Sequence, residues 1–169
     1  MDTHEKILKG LKEAITAEGD GYNFYMLAAD NTSDEKGKEV FQMLAREEGD
    51  HIKYLRTQYE SILKDGVPNS GVKLPKRKEF DGESPIFSTG LKSRIKDAHM
   101  EMSALSIGIQ LELNAIKHYR DQAEIAKDPD IKGFFMELVE WESGHYELLS
   151  RQQEYLKEDY WSAGGFSPF

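Results

Sequence analysis

Two copies of the pattern Glu-x-x-His offer residue types that bind metal ions. Glu48 and His51 form one copy, and Glu142 and His145 form the other. Residues three apart lie on one face of a helix, so each copy can give one oxygen and one nitrogen ligand to a single site. One copy alone would be weak evidence, because such pairs are common on helix surfaces.

The chain repeats itself at the offset of 94 residues that separates Glu48 from Glu142. The same offset places Glu18 on Glu112. It also matches apolar, aromatic and turn positions: Tyr25 with Tyr119, Ala29 with Ala123, Asp34 with Asp128, Lys38 with Lys132, Phe41 with Phe135, Leu44 with Leu138 and Leu55 with Leu149. Because the matches follow the expected buried stripes, we predict two related helical hairpins.

Apolar residues recur at spacings of three and four, which predicts amphipathic helices. Four helices are expected: from about Thr3 to Asn31, from about Asp34 to Lys64, one ending near Ala126, and one starting at Asp128-Pro129. The last start is a sharp one, because aspartate is a preferred N-cap and proline is favoured at the first helical position. The start of the third helix is open, since Leu91 to Ala98 could form a separate short helix.

The segment 65–92 is rich in glycine, proline and serine and connects the second helix to the third. Its length lets the chain return along the whole bundle, so that the second and third helices run parallel, as in ferritin-like bundles. We therefore expect an all-α, ferritin-like four-helix bundle of two repeated hairpins joined by one long crossover. It forms a single domain over residues 1–169 with a C-terminal tail at 158–169.

Ionisable residues interrupt the apolar stripes near the middle of all four helices: Glu18, Glu48, His51, Glu112, Glu142 and His145. An unpaired buried charge costs on the order of tens of kcal/mol by Born estimates, whereas a whole domain is stable by only about 5–15 kcal/mol. Two divalent cations would balance the four carboxylates. The mixture of oxygen and imidazole ligands suits iron or manganese, with zinc as a substitute.

Four segments resemble the ligand-bearing helices of the rubrerythrin branch of the ferritin-like superfamily: AITAEGDGYNFY, LAREEGDHIKYL, IQLELNAIKHY and LVEWESGHYELL. The resemblance covers about residues 5–157. It implies that the same six residues are the metal ligands, with Glu48 and Glu142 bridging two metal ions, most commonly iron. It also implies an oxidoreductase that reduces hydrogen peroxide or, less efficiently, dioxygen.

Two departures from the family pattern matter. The chain has no cysteine, whereas rubrerythrins usually carry a rubredoxin domain with four, so an external electron donor such as a rubredoxin-like protein is needed. Ala115 stands where the family has an additional glutamate, which puts its redox-linked exchange of ligands in doubt. The alternatives are an iron-handling or storage protein and a structural bundle with a vestigial site.

Other residues carry weaker expectations. Tyr25 and Tyr119 lie on the ligand faces, where they would either hydrogen-bond a ligand or pack in the core. Trp141 is expected to cover a helix flank. Solvent-facing positions are predicted for His4, His99, His118, Glu47 and Glu140. The aromatic tail YWSAGGFSPF would pack on its own bundle or form a dimer contact.

Charge and composition narrow the range of partners. The formal net charge of −9 disfavours binding to nucleic acid or to anionic membranes. Without cysteines, disulfides, iron–sulfur clusters and thiol catalysis are excluded for this sequence. No stretch reaches 18 apolar residues, and the first twenty residues lack a secretory signal. A cytoplasmic homodimer is expected.

Overall fold

The computed structural model describes residues 2–75, 85–93 and 98–164, and every regular element within these ranges is an α-helix. The helices are α1 (Thr3–Asn31), α2 (Glu35–Asp65), α3 (Thr89–Ser93), α4 (His99–Ile125) and α5 (Pro129–Gly164). The predicted all-α fold with four long helices is confirmed. None of the described helices is both long and apolar enough to cross a bilayer.

Local signals in the sequence fix the helix ends. Asp2 and Glu5 form a capping box at the start of α1. Asp34 caps α2, and Gly66, with φ of 76°, ends it in the left-handed conformation that favours glycine. Asp128 accepts hydrogen bonds from the backbone N–H groups at the start of α5, as the Asp-Pro signal predicts.

The helices pack as two antiparallel hairpins, α1 with α2 and α4 with α5, and α1 also packs along α4. Apolar side chains form two separate clusters. One contains Leu11, Leu55, Ile62, Phe135 and Leu138, and the other contains Phe41, Leu44, Leu105, Leu149 and Leu156. Because each hairpin contributes to both clusters, the middle of the bundle is left to other side chains.

The crossover connects these two ends of the bundle. Leu74, shortly after α2, packs in the cluster with Leu55, whereas Ile86 and Phe87 pack in the cluster with Leu44. The described parts of the connection therefore lie in opposite apolar clusters, and residues 76–84 of the predicted 65–92 connection lie outside the described ranges. A short helix, α3, closes the segment.

The segment 158–169, expected as a tail, begins as helix because α5 continues to Gly164. Its sequence contains no proline or glycine until that point, so nothing interrupts the helical hydrogen bonds. Tyr160 and Trp161 are among the more exposed large hydrophobic side chains. The remaining tail residues, 165–169, lie outside the described ranges.

Asp34 holds the crossover as well as capping α2, which leads to a stability prediction. Its carboxylate accepts from the Gly37 N–H at 3.0 Å and from the Ser88 N–H at 3.1 Å, and Asp34 is buried. Losing a cap costs about 1 kcal/mol, and leaving a buried donor unpaired costs about 1–3 kcal/mol. We expect Asp34→Ala to lower the free energy of unfolding by about 2–4 kcal/mol in urea titrations.

The repeat supplies a matched control for this variant. Asp128 is the equivalent cap on α5, but among the described residues its side chain accepts hydrogen bonds only from the backbone of its own helix. Asp128→Ala should therefore cost about 1 kcal/mol. Equal losses in the two variants would show that the Ser88 contact contributes nothing.

Candidate metal centre

Six ionisable side chains fill the layer between the two apolar clusters. Glu18 comes from α1 and Glu112 from α4, whereas α2 and α5 each supply a glutamate and a histidine one helical turn apart. None of the six is more than 4% exposed. The structure thus brings together every residue that the sequence proposes as a metal ligand: Glu18, Glu48, His51, Glu112, Glu142 and His145.

The six side chains form two overlapping groups, each with three carboxylates and one imidazole. One group is Glu18, Glu48, His51 and Glu142, and the other is Glu48, Glu112, Glu142 and His145. Within each group the candidate ligand atoms lie within 4.8 Å of one another. The rings of the two histidines stack with their centroids 5.6 Å apart. The arrangement offers two adjacent positions for metal ions.

Glu48 and Glu142 belong to both groups. The two oxygens of Glu142 lie 2.9 Å from His51 Nδ1 and 3.4 Å from His145 Nδ1. The corresponding distances for Glu48 are 3.7 Å and 3.2 Å. Each of these carboxylates therefore points one oxygen toward each histidine, which is the geometry that a bridging carboxylate needs.

Unpartnered atoms show that the residues suit bound cations. Glu48 Oε1, Glu142 Oε1 and His145 Nδ1 are buried, and none of them makes a hydrogen bond with a described residue. Glu48 Oε1 nevertheless lies 3.2 Å from His145 Nδ1, and Glu142 Oε1 lies 2.9 Å from His51 Nδ1. Buried polar atoms without partners are rare in folded proteins. Each of these atoms lies beside another candidate ligand atom, and their lack of partners is explained if each donates a lone pair to a metal ion.

Burial and neighbouring charges divide the glutamates into two classes. For Glu18, burial and then the charges of Glu142 and Glu48 raise the pKa well above its ordinary value. The pKa of Glu112 is also raised, chiefly by burial. Burial opposes ionisation of Glu142 too, but the His51 charge lowers its pKa to about 2.

The remaining three groups follow the same pattern. Burial would raise the pKa of Glu48, but its interactions with Glu18 and with the nearby histidines lower it well below its ordinary value. Burial would lower the pKa of both histidines, but neighbouring carboxylates raise both pKa values well above the ordinary one. The main charge is that of Glu142 for His51 and that of Glu112 for His145. In the metal-free cluster these shifts favour protons on Glu18, Glu112 and both imidazoles, and ionised carboxylates on Glu48 and Glu142.

Two tyrosines hold the outer carboxylates across the α1–α4 interface. The Tyr25 hydroxyl on α1 donates to Glu112 Oε1, and the Tyr119 hydroxyl on α4 donates to Glu18 Oε1. Burial is the main reason that the pKa of each tyrosine is raised well above its ordinary value. Both hydroxyls therefore remain donors at neutral pH, and each fixes one oxygen of a glutamate that occurs in only one group.

A cavity of about 340 Å³ reaches the cluster between α1 and α4. Small side chains leave this space, including Ala14, Ala17, Gly21 and Ala115. Glu18, Glu48, Glu112 and Glu142 form part of its wall. Ala115, the position of the family's additional glutamate, thus opens space beside the carboxylates and supplies no ligand.

Two of the predictions of solvent-facing side chains are wrong. Glu47 is only 14% exposed, and its Oε2 lies 2.7 Å from His145 Nε2. His118 is half-buried, and its Nε2 lies 2.9 Å from the Gly10 carbonyl oxygen. In both cases the helical pattern gives the direction of the side chain but not the neighbour that covers it.

The other individual expectations concern exposed positions and Trp141. His4, His99 and Glu140 are exposed, as predicted. Trp141 is half-buried and lies edge-on to the His51 ring, with centroids 5.3 Å apart. It therefore contacts a candidate ligand, in addition to covering a flank of the bundle.

Comparisons with known proteins agree with this arrangement. The sequence pattern of the rubrerythrin family matches residues 9–153. No curated protein matches the chain. Among solved structures, a hypothetical protein from Pyrococcus furiosus is similar, with 25% sequence identity, a TM-score of 0.64 and 90% of each chain covered. Because the family pattern spans most of the sequence and the fold agrees, this chain belongs to the rubrerythrin family.

Proposed function

We propose that this protein is an oxidoreductase that reduces hydrogen peroxide, and less efficiently dioxygen, at a di-iron centre, using an external electron donor. The observation that carries the proposal is the pair of overlapping ligand groups that share Glu48 and Glu142. Two shared carboxylates would hold two metal ions side by side, which suits a two-electron reaction at one small molecule. When bound, two iron ions would supply one electron each to the O–O bond.

The chain's own residues would set the geometry of this centre. Glu48 and Glu142 would hold the two positions at a fixed separation, and His51 and His145 would each add one neutral nitrogen ligand. Tyr25 orients the Glu112 carboxylate, and Tyr119 orients the Glu18 carboxylate. Such outer hydrogen bonds commonly hold ligands in place and strengthen metal binding.

The cavity between α1 and α4 offers a route for the substrate. Its wall contains carboxylates from both groups, and its volume of about 340 Å³ is ample for peroxide, which is little larger than water. Reduction of one hydrogen peroxide to two waters consumes two electrons and two protons. Glu13 and Asp20 also line the cavity and can relay those protons from solvent.

The electrons must come from another protein or domain. The sequence has no cysteine, so this domain cannot hold a cysteine-ligated iron of the rubredoxin type. A rubredoxin-like donor is the partner that the family resemblance implies. A protein of this kind would deliver one electron at a time to the oxidised centre.

Anaerobic iron loading followed by a peroxide pulse tests the proposal. We expect about two irons per chain, rapid appearance of the absorbance of the oxidised di-iron form, and peroxide-dependent oxidation of reduced rubredoxin over repeated turnovers. Glu142→Gln should abolish all three signals, whereas Glu140→Gln, which changes an exposed glutamate on the same helix, should leave them intact. Two bound irons that peroxide leaves unoxidised would overturn the redox function while keeping the metal centre.

A further inference from the structure

The two halves of the centre differ at one position that the repeat should make equivalent. Glu47 precedes the shared glutamate of α2, and the offset of 94 residues places Trp141 at the same point of α5. An acidic side chain in one hairpin is thus replaced by an apolar ring in the other. Because both residues lie against the candidate ligand histidines, the difference acts on the two metal positions unequally.

Glu47 supports the histidine of the opposite hairpin. Its Oε2 lies 2.7 Å from His145 Nε2, while Nδ1 of the same ring faces Glu48 and Glu112 at 3.2 and 3.6 Å. With a metal ion on Nδ1, the proton of the neutral ring must lie on Nε2, where it donates to Glu47. A carboxylate in this role fixes the tautomer and ring orientation and makes the imidazole a stronger ligand.

The ring of His51 has no such support. Its Nδ1 also faces carboxylates, at 2.9 Å from Glu142 and 3.3 Å from Glu18. Its Nε2 is buried and makes no hydrogen bond to any residue that the structure describes. Trp141 lies edge-on against this ring, in the place where the repeat would otherwise put a carboxylate.

Water in the cavity beside His51 would not make the two histidines equivalent. A cavity of about 210 Å³ borders His51, Glu47 and Trp141, and it is large enough to admit water to Nε2. A neutral water molecule accepts a hydrogen bond from imidazole more weakly than a carboxylate does. With or without water, no residue that the structure describes gives the His51 ring a charged acceptor of the kind that Glu47 gives to His145.

We propose that the centre has two unequal metal positions: Glu47 makes the position at His145 the tighter one, which fills first, and the position at His51 binds its ion more weakly and exchanges it faster. Glu47 is a positioning residue, because it acts on the metal ion through the imidazole. The inference rests on the metal-binding part of the proposed function and is independent of peroxide chemistry.

Titration of the metal-free full chain with Co²⁺, followed by calorimetry and by visible absorbance, tests the inference. We expect two resolved steps of about one equivalent each, with affinities that differ by about 10–100-fold, the usual effect of an outer carboxylate on a ligand histidine. Glu47→Gln should weaken the first step by about the same factor, so that the two steps merge. Glu140→Gln should leave both steps unchanged.

Two further sets of variants assign the steps to positions. His51→Gln should retain the tight step, whereas His145→Gln should lose it. Trp141→Glu, which gives His51 the acceptor that it lacks, should strengthen the weaker step, with Trp141→Phe as its control. Because these variants leave Glu47 in place, they test the proposal even if Glu47→Gln fails to fold.

The outcomes separate this inference from the proposed function. Two equal steps in the unmodified protein, or an unchanged first step in a folded Glu47→Gln variant, would overturn the unequal positions and leave the di-metal centre intact. No binding of Co²⁺ by the unmodified protein would overturn the metal centre itself. Two unequal steps with the tight one lost in His51→Gln would reverse the assignment and contradict the role of Glu47.

Discussion

Replacing Glu142 by glutamine is expected to empty both metal positions, whereas replacing Glu18 should empty only one. Glu142 directs one oxygen toward each histidine and belongs to both ligand groups, while Glu18 belongs to one. The glutamine keeps the size of the side chain but removes its charge and one acceptor oxygen. Even the loss of a group that only hydrogen-bonds a ligand costs about 10–100-fold in metal affinity. Losing a shared ligand should therefore cost more than about 100-fold at both positions.

Metal content after dialysis against micromolar Fe²⁺ or Co²⁺ measures this effect. We expect about two ions per chain in the unmodified protein, close to none in Glu142→Gln and about one in Glu18→Gln. Glu140→Gln controls for the loss of a negative charge on α5, since Glu140 is exposed. Retention of two ions in Glu142→Gln would show that this carboxylate is not a shared ligand.

The sequence predicts the arrangement of the four long helices because its strongest signals are local. Apolar spacing and caps such as Asp34 and Asp128 define helix bounds without reference to tertiary neighbours. The six buried ionisable residues are equally visible, because each interrupts an apolar stripe where an uncompensated charge could not be tolerated. The offset of 94 residues then relates the two halves before any packing is known.

Glu47 shows where such reasoning stops. It lies four residues before His51, so helical spacing alone would pair it with that histidine. In the structure it reaches His145, on the opposite hairpin. Which helix covers the flank of α2 is a property of the packed bundle, and the period of one helix contains no such information. The replacement of this glutamate by Trp141 in the repeat is the signal that could have shown its importance.

The end of α5 has a similar explanation. The sequence suggests a tail from residue 158 onward because the segment YWSAGGFSPF is rich in aromatic residues and glycine and follows the last apolar position of the stripe, Leu156. Helix formation needs no such stripe where propagation continues from a stable helix without a breaker. The helix accordingly runs to Gly164, the first glycine after Gly144.

The metal-free protein should lose stability as pH rises, whereas the metal-loaded protein should not. The pKa values of Glu18, Glu112, His51 and His145 are all raised in the folded, metal-free cluster. A group of this kind stabilises the fold fully below its unfolded pKa, near 4.5 for glutamate and 6.5 for histidine. That contribution is lost as pH rises through the folded pKa.

Glu48 and Glu142 make the metal-free protein less stable at low pH. The pKa of Glu48 is lowered, and that of Glu142 falls to about 2. These carboxylates stabilise the fold above a pH near 4.5, and their contribution is lost as pH falls through the folded pKa. Stability of the metal-free protein should therefore be greatest near pH 4.5 and should decline on both sides, more steeply above about pH 6.5, where the histidines add to the loss.

Bound metal ions reverse the trend at higher pH. They require unprotonated ligands, so protons compete with them, and this competition weakens as pH rises. One pKa unit in one group is worth about 1.4 kcal/mol, or about 3–6 °C in the melting temperature of a domain of this size. With four such groups, we expect the melting temperature of the metal-free protein to fall by at least about 5 °C between pH 6 and 8.5.

Melting curves recorded from pH 6 to 8.5, with a chelator and with excess Co²⁺, measure both trends, and the gap between the two forms should widen steadily with pH. Glu18→Gln combined with Glu112→Gln removes two of the four titrating groups and keeps their size, so the metal-free double variant should show a flatter profile than the unmodified protein. A melting temperature of the metal-free protein that rises over this interval would contradict the assignment of protons to these four groups. It would mean that Glu18 and Glu112 are ionised even without metal ions, and that another part of the fold compensates their negative charges.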